Sequence, residues 1–203
     1  MTPPPPAAPL DRARILDAAE AVLRRHGVAK TTVVDVARAL GVSHAAVYRH
    51  FPSKAALQDA VAERWLHAVA EPLEAVADAP GPAGERLAGW VRALAAVKRR
   101  KVRSDPELFD TYHALAEGAR AVVAAHVDAL LAQLGRIVRD GIAAGEFAPA
   151  DPAAAARAVL EATALYHRPH HVRERAGGEE TDEERALDVV LGLLVAGLRA
   201  GAR

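Results

Sequence analysis

Residues 31–54 read TTVVDVARALGVSHAAVYRHFPSK, and this stretch decides the fold. From Val33 to Leu40, apolar residues fall at Val33, Val36, Ala37 and Leu40, the spacing that puts one buried stripe on a helix. Gly41-Val42-Ser43 interrupts it: a glycine takes the left-handed conformation that ends helices, and serine is a preferred N-cap for the next. A second helix, His44 to His50, places Val47 and Phe51 one turn apart toward a core. His44, Ala45, Tyr48 and Arg49 then point outward. Two short helices across a tight turn, with a small-sided, donor-rich outer face, have the shape that enters a DNA major groove.

Composition sets the surroundings. Over 203 residues, 51% are apolar and only 4% aromatic. Alanine is abundant, and β-branched residues other than valine are sparse, so helix is favoured nearly throughout. With no cysteine, disulfides and thiolate metal sites are excluded, and a cytoplasmic location is expected. No apolar run approaches the length of a bilayer span, and the Pro-rich start does not read as a signal peptide. Net charge is zero but unevenly placed. Residues 1–54 hold eight basic and four acidic side chains, a net +4. The remainder holds 18 basic and 22 acidic, a net −4. Phosphate suits the first part and not the second.

The expected fold is all-α with about nine helices: a Pro-rich disordered arm (1–9), a three-helix helix-turn-helix domain (10–56) and a larger helical body (57–203). Asp11 to His26 forms the first helix, ended by Gly27. Thr31 and Thr32 cap the helix-turn-helix, with Asp35 in its first turn, where a carboxylate suits the helix dipole. Ser53 caps a long helix from Lys54 to about Ala77 that carries Pro72. Helices over 84–103, 106–117 and 119–144 follow. Asp151-Pro152 opens another, running to Tyr166 or His167. Residues His170 to Thr181 read as a charged loop. The last helix, 182–200, carries Leu187, Val190, Leu191, Leu194, Val195 and Leu198 in one wide stripe.

The head resembles the tetracycline-repressor (TetR) family of bacterial one-component regulators. The likeness rests on Ile15-Leu16-Asp17-Ala18-Ala19, Thr31-Thr32 with Val36-Ala37, Gly41-Val42-Ser43, Val47-Tyr48, His50-Phe51 and Ser53-Lys54. It implies a DNA-binding head and a helical body that dimerises and binds an inducer. Carried over by position, Thr32, Tyr48 and Lys54 correspond to phosphate contacts, while Ser43, His44, Ala45, Ala46 and Arg49 face the groove. Thr31 and His50 complete the candidate set. Arg49 is the side chain able to make a bidentate contact with guanine, and the alanine methyls suit thymine. The resemblance also places Trp90, Phe109, Tyr112 and Tyr166 around an inducer pocket, with His113 and His167 as its polar groups.

One helix-turn-helix reads only a half-site, so a homodimer through the last two long helices is expected, bound to a palindromic double-stranded operator. The run Tyr166-His167-Arg168-Pro169-His170-His171 lacks metal-ligand spacing, because Pro169 divides its imidazoles, and no metal or other cofactor is expected. Lys98 to Arg103 reads as a solvated helix end. No nucleophile–base pair or phosphate loop suggests an enzyme. The function expected is a ligand-responsive transcriptional repressor, released from its operator by a small apolar or aromatic inducer. An activator, or a helical DNA-binding module without a ligand, would carry the same head.

Overall fold

The computed structural model describes residues 10–148 and 151–201; the expected disordered arm lies outside the described residues. Among these there are ten α-helices, one 3-10 turn and no strand. The head comprises α1 (Arg12–Lys30), α2 (Val33–Leu40) and α3 (His44–Tyr48). The body comprises α4 (Lys54–Ala77), α5 (Ala83–Ser104), α6 (Pro106–Gly118), α7 (Arg120–Ala143), α8 (Pro152–Ala162), α9 (Pro169–Glu174) and α10 (Glu180–Ala200).

Local chemistry sets most boundaries. Thr32 and Asp35 form a reciprocal capping box at the start of α2, which occupies two backbone donors that the helix itself leaves free. Gly41 ends α2 in the left-handed region, at φ +67°. Ser43 and Ser53 accept from the amides of Ala46 and Ala56, at 3.2 and 3.0 Å. Gly27, at φ +74°, interrupts α1 one turn before its end. Helix α3 is shorter than expected and stops at Tyr48.

The region around residue 163 departs from the sequence reading. One helix was expected to reach Tyr166 or His167, but α8 stops at Ala162. The Thr163 hydroxyl donates back to the Val159 carbonyl at 2.8 Å. The His167 ring nitrogen Nε2 lies 2.9 Å from the Leu160 carbonyl, taking an acceptor that a continuing helix would have used. Pro169 then opens α9 inside the expected loop, as proline suits a first helical position.

Two buried clusters hold the molecule together. The first joins Ile15, Val36 and Phe51 of the head to Leu57, Trp65 and Tyr112, so the core runs across the 56/57 boundary. The second is the body's own, built on Leu73, Trp90, Leu94, Leu134, Val159 and Leu191. Gln133 is buried in this second cluster. It accepts from the Trp90 indole N–H at 2.8 Å and donates to the Ala70 carbonyl at 3.2 Å, tying α5, α7 and α4 together. At Gly141 a Cβ would fall 2.3 Å from the Phe147 ring, so Phe147, in the turn beyond α7, packs directly on helix backbone. Helix α7 corrects one expectation: by length and mean hydropathy (1.5) it is apolar enough to cross a membrane. Its apolar side chains Leu134, Ile137 and Val138 are instead buried in the body core.

Candidate nucleic-acid interface and body cavity

Helix α3 presents Ser43, His44, Ala45, Tyr48 and Arg49 as exposed residues, with Ala46 and His50 half-buried beside them. Val47 is buried beneath, so the core fixes which face looks outward. The His44 and Tyr48 rings meet edge to face, 6.4 Å between centroids. The stretch of chain leaving α3 is clamped by Arg12, whose guanidinium covers the Phe51 ring at 4.4 Å and donates to the His50 carbonyl at 3.0 Å.

The two threonines at the start of α2 differ. Thr31 is 4% exposed and donates its hydroxyl to the Gly27 carbonyl at 2.8 Å. It therefore fastens the break in α1. Thr32 is exposed, but its hydroxyl donates to the Asp35 carboxylate at 2.6 Å. The Thr32 side chain and amide hold the Asp35 carboxyl below its ordinary value. To donate to phosphate, the Thr32 hydroxyl would first have to turn its O–H away from Asp35. Lys54 donates from Nζ to the Ala29 carbonyl at 3.2 Å, which sets the ammonium between the start of α4 and the end of α1.

Within the body a cavity of about 380 Å³ opens between α4, α5, α6, α7, α8 and the segment that follows α8. Its apolar wall includes Trp65, Leu66, Val127, Leu130 and Leu160. Of the six expected ligand residues it brings together two, His113 and His167. Trp90 is fully buried against Gln133 and does not reach the cavity. Phe109 and Tyr112 line a separate cleft on the other side of Trp65, where Tyr112 stacks on the Trp65 ring at 4.8 Å. Tyr166 turns into a crevice beside Arg175, 5.7 Å from that guanidinium.

The cavity's polar groups are basic. Lys98 is only 4% exposed, which corrects its reading as part of a solvated helix end. Burial first, and Lys101 second, bring its ammonium down to about 8. Burial also lowers His126 to about 3 and His167 to about 4, with Lys98 adding to both, so these imidazoles are neutral near pH 7. Because a carbonyl can only accept, His167 Nε2 carries the ring proton toward Leu160 and leaves Nδ1 an acceptor. Two arginines of the basic run are also engaged: Arg99 pairs with Glu180 and Glu184 of α10 at 2.7 and 2.8 Å, and Arg103 with Glu180 at 2.8 Å.

His170, His171 and Glu174 lie together on α9, with ligand atoms within 4.8 Å of one another. Pro169 begins that helix rather than dividing it, and both histidines pair with Glu174, at 3.3 and 3.7 Å. Of the α10 stripe expected at a dimer interface, Leu187 and Leu191 are buried in the body core, while Val190, Leu194, Val195 and Leu198 are half-buried. In the body, Val189 and Leu193 of α10 are 66% and 70% exposed, and Leu165 after α8 is exposed too.

Residues 83–190 match the family described as tetracyclin repressor-like, C-terminal domain, and residues 15–61 match bacterial regulatory proteins of the tetR family. The chain belongs to the TetR family. Over 50 residues it is 46% identical to the HTH-type transcriptional regulator TtgR of Pseudomonas putida, an alignment taking in 25% of this chain and 24% of that relative. The chain thus matches its curated relatives over about a quarter of their length. Among solved TetR-like folds, SmeT, the repressor of the Stenotrophomonas maltophilia multidrug efflux pump SmeDEF, superposes with a TM-score of 0.62 at 26% identity, over 93% of this chain and 90% of that one. The transcriptional regulator FadR from Bacillus subtilis, in complex with stearoyl-CoA, gives 0.63 at 20% identity, over 92% and 99%, a likeness of fold.

Sequence reasoning missed Lys98, His126, Trp65 and Leu66 as cavity residues of this TetR-family body. A signal was present for two of them. Lys98 continues the inward register Leu87, Val91, Leu94, and is followed by Val102, while His126 sits between Val123 and Val127. A polar residue in register with an apolar stripe is a buried polar group in waiting.

Proposed function

We propose that the chain is a ligand-responsive repressor that binds a palindromic operator as a cytoplasmic homodimer and leaves it when a small molecule enters the body cavity. The observation that carries this reading is the double duty of α4. Its first turns, Leu57 and Val61, belong to the same core as Phe51 and Val47 beneath the recognition helix. Its middle, Trp65 and Leu66, is cavity wall. A ligand that moves the wall therefore acts on the element that seats the helix-turn-helix.

In this reading α3 enters the major groove and Arg49 donates to guanine, while Tyr48 and Lys54 hold phosphate and set the register. The exposed Val189 and Leu193 of α10, with Leu165, supply the apolar centre of a two-fold interface. Binding separates the two recognition helices from the spacing of successive major grooves. Fluorescence anisotropy of the full chain on a fragment carrying its own promoter is the direct test. A ligand that weakens operator binding must itself be weakened by operator, by the same factor. A cavity ligand with equal affinity for free and operator-bound protein would remove the basis for this function.

A further inference from the structure

Lys98 has no counter-charge. Among the described residues no carboxylate lies within ion-pair distance of its ammonium, although 16 arginine–carboxylate contacts are formed elsewhere among them. Its one favourable contact is the Trp65 ring face, 5.2 Å from Nζ. A buried ammonium without a partner is costly, and proteins seldom keep one unless something else supplies the charge. Here Lys98 lines a cavity large enough for an organic ligand, near the lower end of the usual ligand-site range of roughly 300–1,000 Å³.

We propose that the cavity ligand is a monocarboxylic acid with an apolar body, its carboxylate paired with Lys98 and its body lying along Leu66, Val127, Leu130 and Leu160. This rests on the reading of the cavity as the inducer site and deepens it. A carboxylate beside Lys98 forms a charge-assisted bond in a water-poor site, where such bonds are strongest. The groups facing Lys98 fit an anion of one charge. Trp65 from α4, Lys101 from α5 and the neutral His126 from α7 and His167 after α8 bring no negative charge. The two carboxylates of the lining sit at the exposed rim. Glu161 pairs with Arg168 at 2.5 Å, and Glu117 lies 3.9 Å from His113 of α6. One buried cation behind two rim carboxylates favours a monoanion over a dianion. Burial brings the Lys98 ammonium down to about 8, so preference for the acid should fade as pH rises above that value.

The test compares matched acids and alcohols, decanoate against 1-decanol and 4-butylbenzoate against 4-butylbenzyl alcohol, by calorimetry on the full chain, alongside operator release. In the parent at pH 7 each acid should bind at least about tenfold more tightly than its alcohol. Lys98→Met should bring the ratio to within about twofold, and Lys98→Arg should keep most of the preference. At pH 9.5 the parent's ratio should shrink. Helix content and melting temperature of each variant show whether it is folded. Alcohols that bind and release operator as well as the acids, or an acid preference that persists in folded Lys98→Met, overturn the proposal and leave the inducer-cavity reading standing. If neither acid binds the parent, the proposal is likewise overturned.

Discussion

The buried lysine makes a stability prediction that needs no ligand. Replacing Lys98 by Met keeps the side-chain length and its apolar stem but removes the charge. In the folded protein the ammonium titrates near 8, against 10.5 for the ordinary group, chiefly because burial disfavours the charged form. At roughly 1.4 kcal/mol per pH unit, that gap amounts to about 3 kcal/mol of lost stability. The Trp65 contact at 5.2 Å returns roughly 0.5–2 kcal/mol, which methionine forfeits in large part. A net gain of about 1–3 kcal/mol is left for Lys98→Met at pH 7. For a chain of this size each kcal/mol raises the melting temperature by roughly 2–4 °C.

The sign of the pH dependence is fixed by the same displacement. Between about 8 and 10.5 the unfolded lysine holds its proton while the folded one has released it, so parental stability rises with pH across that window. The penalty is complete below about pH 8 and gone above about 10.5. Lys98→Met lacks this rise, so its advantage over the parent should be largest at pH 7 and small at pH 10. Thermal and urea unfolding of both proteins at the two pH values, at equal protomer concentration, give the comparison. The reasoning fails if the variant is less stable than the parent at pH 7, or if its advantage does not shrink by pH 10.

Three further outcomes follow from other parts of the fold. Arg49→Ala should relax sequence preference on promoter fragments, whereas Lys54→Ala should weaken all fragments alike and reduce the salt slope by about one, as anisotropy titrations over a salt series will show. Gln133→Leu strands the Trp90 indole N–H and removes the second bond to the Ala70 carbonyl, and urea unfolding should register a loss of roughly 1–3 kcal/mol. Gly141→Ala drives a methyl to 2.3 Å from the Phe147 ring and should cost roughly 1–3 kcal/mol in the same assay, despite alanine's better helix propensity.

What could be read from residue order alone was whatever depends on near neighbours. Gly41, Ser43, Ser53 and the Asp151-Pro152 pair act on amides within three residues, so the head and most helix starts were legible. The end of α8 was not, because it turns on the His167 ring reaching back seven residues to Leu160. Thr31 and Thr32 look alike in sequence; the turn after Gly27 sends one hydroxyl inward and the other to Asp35. The cavity draws on five helices, and its membership follows from how they pack. Aromatic content pointed to Trp90, Phe109 and Tyr112, yet those rings fill the core and the neighbouring cleft. A basic run disguised Lys98, whose helical register with Leu94 and Val102 would have separated it from its exposed neighbour Arg100.

Transmission from cavity to head then becomes a question of geometry. Helix α4 has 24 residues, about 36 Å of rod at 1.5 Å per residue. Trp65 lies near its middle, about 16 Å from Lys54 by the same rise. Pivoting there, a tilt of roughly 5° carries Lys54 by between one and two ångströms on that lever arm. In a two-fold dimer the displacement acts on both recognition helices, and major-groove docking has little tolerance for such a change in half-site spacing. Trp65 is also held on its far side, by the Tyr112 ring at 4.8 Å, while the next helical neighbour Arg64 pairs with Asp17 and Glu20 of α1 at 2.7 Å each. The ring therefore stands between a ligand-accessible lysine and the first helix of the head. A carboxylate that draws Lys98 off the Trp65 face removes a contact from one side of the ring only, and the imbalance falls on the helix that carries the DNA-binding motif.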